Sequence, residues 1–147
     1  TFSSFIKEII NDFKITHEKD IGLENHLSEE NHVLKLDKFY TATAIINMLE
    51  NAVKYGASKI RVATSFRNDN WILEIEDNGI GIDKKNQKLI FNKFYRAENK
   101  DVHNVKGLGL GLYYSRQIIL AHKGSIKVDS EKGKRTKFTV ELPLNKS

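Results

Sequence analysis

Asn47, Asn51 and Lys54 follow one another at spacings of four and three. On a helix those spacings put two amides and an ammonium on one face, apart from the stripe of Ile45, Met48, Leu49 and Val53. Amide oxygens are hard ligands suited to Mg²⁺, and a lysine is a natural point-charge partner for phosphate. A solvated polar stripe has the same pattern, so the face alone does not decide. Asp77-Asn78-Gly79-Ile80-Gly81 adds a carboxylate followed by two glycines that permit close backbone approach. Such a carboxylate can accept a bond from an exocyclic amine like that of adenine, or it can cap its own turn. Gly107-Leu108-Gly109-Leu110-Gly111 is a third cluster. No expected strand precedes it and no Gly-Lys-Ser/Thr follows, which excludes the dinucleotide and P-loop fingerprints. What remains is a glycine-rich helix start whose N–H groups and dipole suit phosphate oxygens, or a hinge.

The elements that must position these groups are read from periodicity. Phe2, Phe5, Ile6, Ile9 and Phe13 share one face of a helix that Ser3 or Ser4 caps, and this helix is expected to lie on a sheet. Residues 21–27 and 33–36 are expected as short strands around Ser28-Glu29-Glu30-Asn31, forming a hairpin. Asp37 can cap the next helix, which buries Ile45, Met48, Leu49, Ala52 and Val53 and closes near Gly56. Residues 59–66 and 71–76 make an antiparallel hairpin through Arg67-Asn68-Asp69-Asn70. A polar, lysine-rich stretch follows, with Leu89, Ile90, Phe91, Phe94 and Tyr95 able to pin it to the body; long loops in compact domains are usually lids. A helix over 108–122 closed by Gly124, then strands 125–130 and 137–142, complete the chain. Hairpins segregated from helices argue an α+β class with helices on one sheet face.

The 147 residues, 39% of them hydrophobic, suffice for one core, so a single domain spanning 1–147 is expected. With no cysteine, disulfides, thiolate metal sites and thiol catalysis are excluded, in keeping with a reducing compartment. No apolar run approaches the ~18 residues of a membrane span and the N-terminus does not read as a signal peptide, so a soluble, cytoplasmic piece is expected. The net charge of +5 is concentrated in 84–106 and 132–137 without the aromatic interleaving of a nucleic-acid platform, and no nucleic-acid partner is expected.

Together these residues resemble the catalytic and ATP-binding domain of bacterial sensor histidine kinases over nearly the whole chain. Asn47-Met48-Leu49-Glu50-Asn51-Ala52-Val53-Lys54-Tyr55 is similar to that family's asparagine box, and Asp77 to Gly81 to its first glycine box. Phe91-Asn92-Lys93-Phe94-Tyr95-Arg96 is similar to its phenylalanine box, and Gly107 to Gly111 to its second glycine box. The resemblance implies the Bergerat fold, an α/β sandwich with a mixed, mostly antiparallel sheet covered on one face by helices and an ATP lid, here near 83–107. It implies that Asn51 holds Mg²⁺, that Asn47 and Lys54 approach the phosphates, that Tyr55 packs beside the nucleotide and that Asp77 binds the adenine amino group. Gly79 and Gly81 would shape the base pocket; Gly107, Gly109 and Gly111 would hinge the lid. Arg96 would reach the γ-phosphate and, with Asn47, serve catalysis. Ile82, Phe94, Tyr95, Lys106, Leu108, Leu110 and Thr136 complete the nucleotide site by the same pattern. Arg135 departs from it, standing where relatives often have a second glycine, which leaves the role of Thr136 open.

Gyrase B, MutL and heat-shock chaperones, in the wider superfamily, place a water-activating glutamate where this sequence has Asn47. An amide is no general base at neutral pH, which favours phosphotransfer to a protein over hydrolysis. Glu50 points about 100° away around the helix and reads better as a surface partner of Lys54. His17-Glu18 imitates an acceptor histidine motif but precedes a strand, and His26, His32, His103 and His122 read as polar surface or lid positions. The expected parent therefore carries its histidine-containing dimerisation domain elsewhere, addresses a response regulator indirectly, and meets a membrane only through other parts; the domain alone is expected to be monomeric. The competing reading is a stand-alone ATP-binding regulatory module, such as an anti-sigma-factor-like serine kinase or a degenerate docking domain.

Overall fold

A computed structural model describes residues 2–17, 20–25, 37–92 and 111–143. Helix α1 (Phe2–His17) is followed by β1 (Asp20–Asn25), α2 (Lys38–Lys54), β2 (Lys59–Arg67), β3 (Asn70–Asp77), the short α3 (Lys84–Gln87), α4 (Gly111–Ala121), β4 (Ser125–Glu131) and β5 (Arg135–Pro143). The strands form one five-stranded sheet in the order β1-β2-β3-β5-β4. All its pairings are antiparallel except β1 with β2, which run parallel because α2 lies between them in the chain. The hairpin partner expected for β1, residues 33–36, lies outside the described residues.

Alternation builds the core. Along β5 every second residue, Thr136, Phe138, Val140 and Leu142, is buried, and Ile60, Val62, Trp71, Leu73 and Ile75 of β2 and β3 join them. Phe2, Ile6, Ile9, Ile10 and Phe13 of α1 and Ala44, Ile45, Met48, Leu49 and Ala52 of α2 close over that face. Phe2 packs on Trp71 with ring centroids 5.3 Å apart, so α1 meets the sheet as expected. The helix starts earlier than its serines suggested: Ser3 and Ser4 lie inside its first turn.

Helix and turn chemistry account for the ends. Asp37 caps α2, its side chain accepting from the Tyr40 N–H at 2.9 Å. At the other end Gly56, at φ +83°, donates to Val53, and Ala57 donates to Ala52, the paired bonds of a Schellman motif. Asn68 and Asp69, both at positive φ, make the two-residue β2–β3 turn. Helix α4 ends differently from expectation. The left-handed residue is Lys123, at φ +64°, and Gly124 follows it, donating to Ile119. Gly124 is needed for space: a Cβ there would collide with the Glu141 carbonyl of β5. The lysine-rich stretch also begins with order. Asp83 caps α3, Ile90 is buried, and Phe91 meets Phe138 edge-on at 6.2 Å, so the start of this stretch packs on the body through those two side chains.

Replacing Lys123 with Gly should stabilise the domain by about 0.5–1 kcal/mol, since it relieves a strained left-handed residue at the cost of chain entropy. Gly124→Ala should destabilise it by about 2–3 kcal/mol through overpacking. Urea unfolding of the two variants checks both signs.

Candidate functional site

The end of α2, the start of α4 and the loop after β3 converge. Asn47 and Asn51 are half-buried on the same face of α2, Lys54 is its exposed last residue, and Tyr55 caps it. The Lys54 ammonium sits 5.4 Å from the Tyr55 ring centroid. Asn47 Nδ2 donates to the Gly111 carbonyl at 3.3 Å, so its amide already faces the first residue of α4. Glu50 is exposed, as expected. Phe94, Tyr95, Arg96, Lys106, Gly107, Leu108, Gly109 and Leu110 lie outside the described residues.

Asp77 ends β3 with 5% of its surface exposed. One carboxylate oxygen accepts the Gly79 N–H at 2.8 Å, so the self-capping turn is present and leaves the second oxygen for another donor. Thr136 lies directly opposite on β5, buried on the same face, with Oγ1 2.8 Å from Ser130 Oγ. Burial, followed by the charge of Glu76, raises the Asp77 pKa above its usual value, while the Gly79 bond opposes the rise.

The glycines of the loop are spacers between backbones. A Cβ at Gly79 would come within 2.8 Å of the Tyr55 carbonyl, and Ile80 N–H donates to that same oxygen at 3.2 Å. Gly81, at φ +74°, has no room for a Cβ against the Glu131 carbonyl, and the Ile80 carbonyl accepts the Gly133 N–H. Ile82 N–H donates to Ser130 Oγ at 2.7 Å, and the Gln87 amide bonds the carbonyls of Ile82 and Ser130. The loop is thus held between the end of α2 and the β4–β5 turn.

Three residues here were missed by reading the sequence for chemistry. Asn78 Oδ1 accepts the N–H groups of Ser58 and Lys59, both at 2.9 Å, and clamps the loop to the start of β2. Ser130 ties Ile82, Arg135 and Thr136 together. His122, read as a plain polar position, accepts the Asp37 N–H on Nε2 at 3.1 Å and contacts the Ile118 carbonyl through Nδ1 at 2.8 Å. A turn-forming Asx pattern could have flagged Asn78; the contacts that give the other two their roles, Ser130 with Ile82 and His122 with Asp37, are remote in sequence. His17 stacks on Phe13 with centroids 3.9 Å apart and bonds its carbonyl, a helix-end role unlike an acceptor's.

Arg135 stays out of the pocket. It projects to the opposite sheet face, where Glu24, Arg61, Glu76, Arg135 and Asp129 alternate in sign, one from each strand across the sheet. Arg61 grips Glu24 by two bonds of 2.8 Å, and Arg135 lies 3.1 Å from Asp129. Thr136, one residue on, therefore remains beside Asp77.

Among the described residues no group of three or more His, Cys, Asp or Glu could hold a metal ion. Two amides without a carboxylate fit a cation that keeps its waters and takes phosphate oxygens, which suits Mg²⁺.

Residues 37–146 match the family of histidine kinase-, DNA gyrase B-, and HSP90-like ATPases, and the chain belongs to that family. It is 39% identical to the sensor protein RprX of Bacteroides fragilis (strain YCH46) over 99% of its own length and 29% of that protein's. To the signal transduction histidine-protein kinase ArlS of Staphylococcus haemolyticus it is 33% identical, over 92% of the chain and 30% of the relative. The chain therefore spans about 30% of these curated relatives. A mycobacterial sensor histidine kinase, MprB, shares its fold with a TM-score of 0.75 at 24% identity, over 97% of this chain and 93% of the other. The Bergerat-type architecture is the one that this sheet and its helices build. Among the described residues no helix is long and apolar enough to cross a membrane.

The raised Asp77 pKa makes a signed prediction. A raised acid favours folding fully below the unfolded value of about 3.9, and that contribution is lost as pH climbs through the folded pKa. Asp77→Asn, which keeps an acceptor for Gly79, should therefore be more stable than the parent at neutral pH, with the gap closing on acidification. Paired urea titrations across pH read it directly.

Proposed function

We propose that this domain binds ATP with Mg²⁺ and donates the γ-phosphoryl group to a histidine on a separate dimerisation domain of the same parent protein. The observation that carries the reading is the buried Asp77 carboxylate, with one oxygen committed to Gly79 and Thr136 at its side, beneath the end of a helix bearing Asn47, Asn51 and Lys54. A buried acceptor beside a hydroxyl selects an amine-bearing base, so Asp77 binds the adenine amino group. Gly79 and Gly81 bring the backbone against the base, and Ile82 and Tyr55 pack beside it. Asn51 holds Mg²⁺, whose charge supplies stabilisation of the phosphates when bound. Asn47, Lys54 and the glycine-rich segment 107–111 approach the phosphate oxygens. Lys106, Phe94 and Tyr95 belong to the lid, and Arg96 places a fixed guanidinium on the transferring group.

In the reaction an imidazole nitrogen of the acceptor forms a bond to the γ-phosphorus while the bond to the β–γ bridging oxygen breaks, releasing ADP. The electron pair of the broken bond stays on the β-phosphate oxygen of ADP, and the imidazole proton passes to solvent as the ring becomes phosphorylated. Asn47 stands where a hydrolysing relative would use a carboxylate base, so water is a poor competitor. The phosphoryl group then passes to an aspartate of a response regulator. The parent works in the cytoplasm, with any membrane attachment supplied by its other parts. In support, a related structure of the same architecture, ShkA, with a TM-score of 0.81 at 20% identity over 100% of this chain and 31% of that one, was solved in complex with AMPPNP.

Calorimetry with ADP should show binding that Asp77→Asn weakens by about 100-fold or more, since a buried acceptor becomes partly a donor against the amino group. Asn51→Ala should leave metal-free ADP binding within about threefold while abolishing the gain from Mg²⁺. Mixed with the dimerisation domain of its parent, the domain should move label from γ-labelled ATP to a histidine; phosphate release to water in its place would overturn the kinase reading.

A further inference from the structure

Helices α2 and α4 run antiparallel and are clipped together at three points. Asn47 Nδ2 meets the Gly111 carbonyl at 3.3 Å, the buried Ser115 hydroxyl donates to the Ala44 carbonyl at 3.0 Å, and the Asp37 N–H donates to His122 Nε2 at 3.1 Å. The last two clips are seven residues apart on each helix, a rise of roughly 10.5 Å at 1.5 Å per residue, so both close together in one register. The two clips differ in selectivity. Every turn of α2 offers carbonyls, so Ser115 alone would accept a slip by one turn. N–H groups without an intrahelical partner exist only in the first turn of a helix, so His122 can bind there and at no later turn. Its Nδ1 contact with the Ile118 carbonyl puts the hydrogen on Nδ1 and leaves Nε2 as the acceptor that Asp37 requires.

We propose that His122, supported by Ser115, is a positioning residue: it sets the axial register of α4 on α2 and thereby holds Gly111, where the glycine-rich segment enters its helix, against Asn47. The consequence for nucleotide affinity rests on the function proposed above; the register itself does not. Gly111 has its hypothetical Cβ 3.8 Å from the Asn47 side chain, so even a slip of one residue would move the phosphate-facing end of α4 off its partner. The two ends of this lock, Gly111 and His122, lie at opposite ends of α4, which makes a residue remote from the pocket responsible for the pocket's geometry.

The test uses the whole chain in three variants. His122→Phe keeps a ring and removes both bonds; His122→Gln restores an acceptor and a donor of similar reach; Ile119→Val trims the fully buried face of α4 without touching a clip. The first readout needs no nucleotide: the side-chain amide resonances of Asn47 and the backbone resonance of Gly111 in ¹⁵N-labelled protein. They should shift in His122→Phe, return toward the parent in His122→Gln, and stay in place in Ile119→Val. Unmoved resonances in a folded His122→Phe would overturn the proposal. The second readout is ADP and ATP-analogue affinity, expected to fall about five- to tenfold in His122→Phe, to recover in His122→Gln, and to hold in Ile119→Val, as the loss of one hydrogen bond implies. Equal losses in His122→Phe and Ile119→Val would reduce the effect to general destabilisation and overturn it. Shifted resonances in a parent chain that binds no nucleotide would support the register lock and overturn the nucleotide reading alone.

Discussion

Everything around the site depends on keeping one carboxylate out of water. Asp77 is an acid at the end of a core strand, with one oxygen bound by its own loop, and the protein tolerates the cost of burying it. A group held in that state is sensitive to its surroundings, because any water reaching it would relax both its pKa and its orientation. The backbone packing of Gly79 and Gly81, the clamp of Asn78 and the Ser130 hub are what fix the loop that holds it. The low dielectric that makes this burial costly also strengthens any bond the carboxylate makes to a donor of matching geometry.

The sheet serves this purpose from both faces. Its inner face supplies the hydrophobic floor, and directly opposed Asp77 and Thr136 show that the pocket continues the core's alternation with polar residues at the end of the strands. The outer face carries charges that alternate strand by strand, so cross-strand attraction opposes slippage that would carry Asp77 away from Thr136. Arg135 belongs to this second layer. A glycine there would leave Glu76 and Asp129 without their shared partner, so the residue that departs from the family pattern adds to the cross-strand pairing.

Helix α2 is the member common to every part of the site. Its cap, its Schellman end and its polar face are all local, and its bonds to α4 join it to the glycine-rich segment. Because Tyr55 ends the helix and also receives the Ile80 N–H, the distance between the amide face and the base loop is set by backbone contacts, which yield less than side chains do.

Local chemistry made much of this legible. Periodicity placed α2 and the β2–β3 hairpin, Asp37 and Gly56 marked the ends of α2, and the ordered asparagine and glycine motifs named groups that the fold brings near one another, because caps, turns and amphipathic faces are decided by residues a few positions apart. Other features depended on partners far along the chain. That β1 runs parallel to β2 follows from a crossover helix. That Lys123 takes the left-handed place follows from Gly124 having to clear the Glu141 carbonyl. Ser130 and His122 make local bonds too, but those that join segments reach Ile82 and Asp37, 48 and 85 residues away, and no local pattern announces them. The sequence by itself determined which groups could do the chemistry and which elements would carry them. Only the tertiary structure decided that Thr136 stands opposite Asp77, which face Arg135 takes and how α4 registers on α2, because those follow from packing between segments that the chain brings together only when it folds.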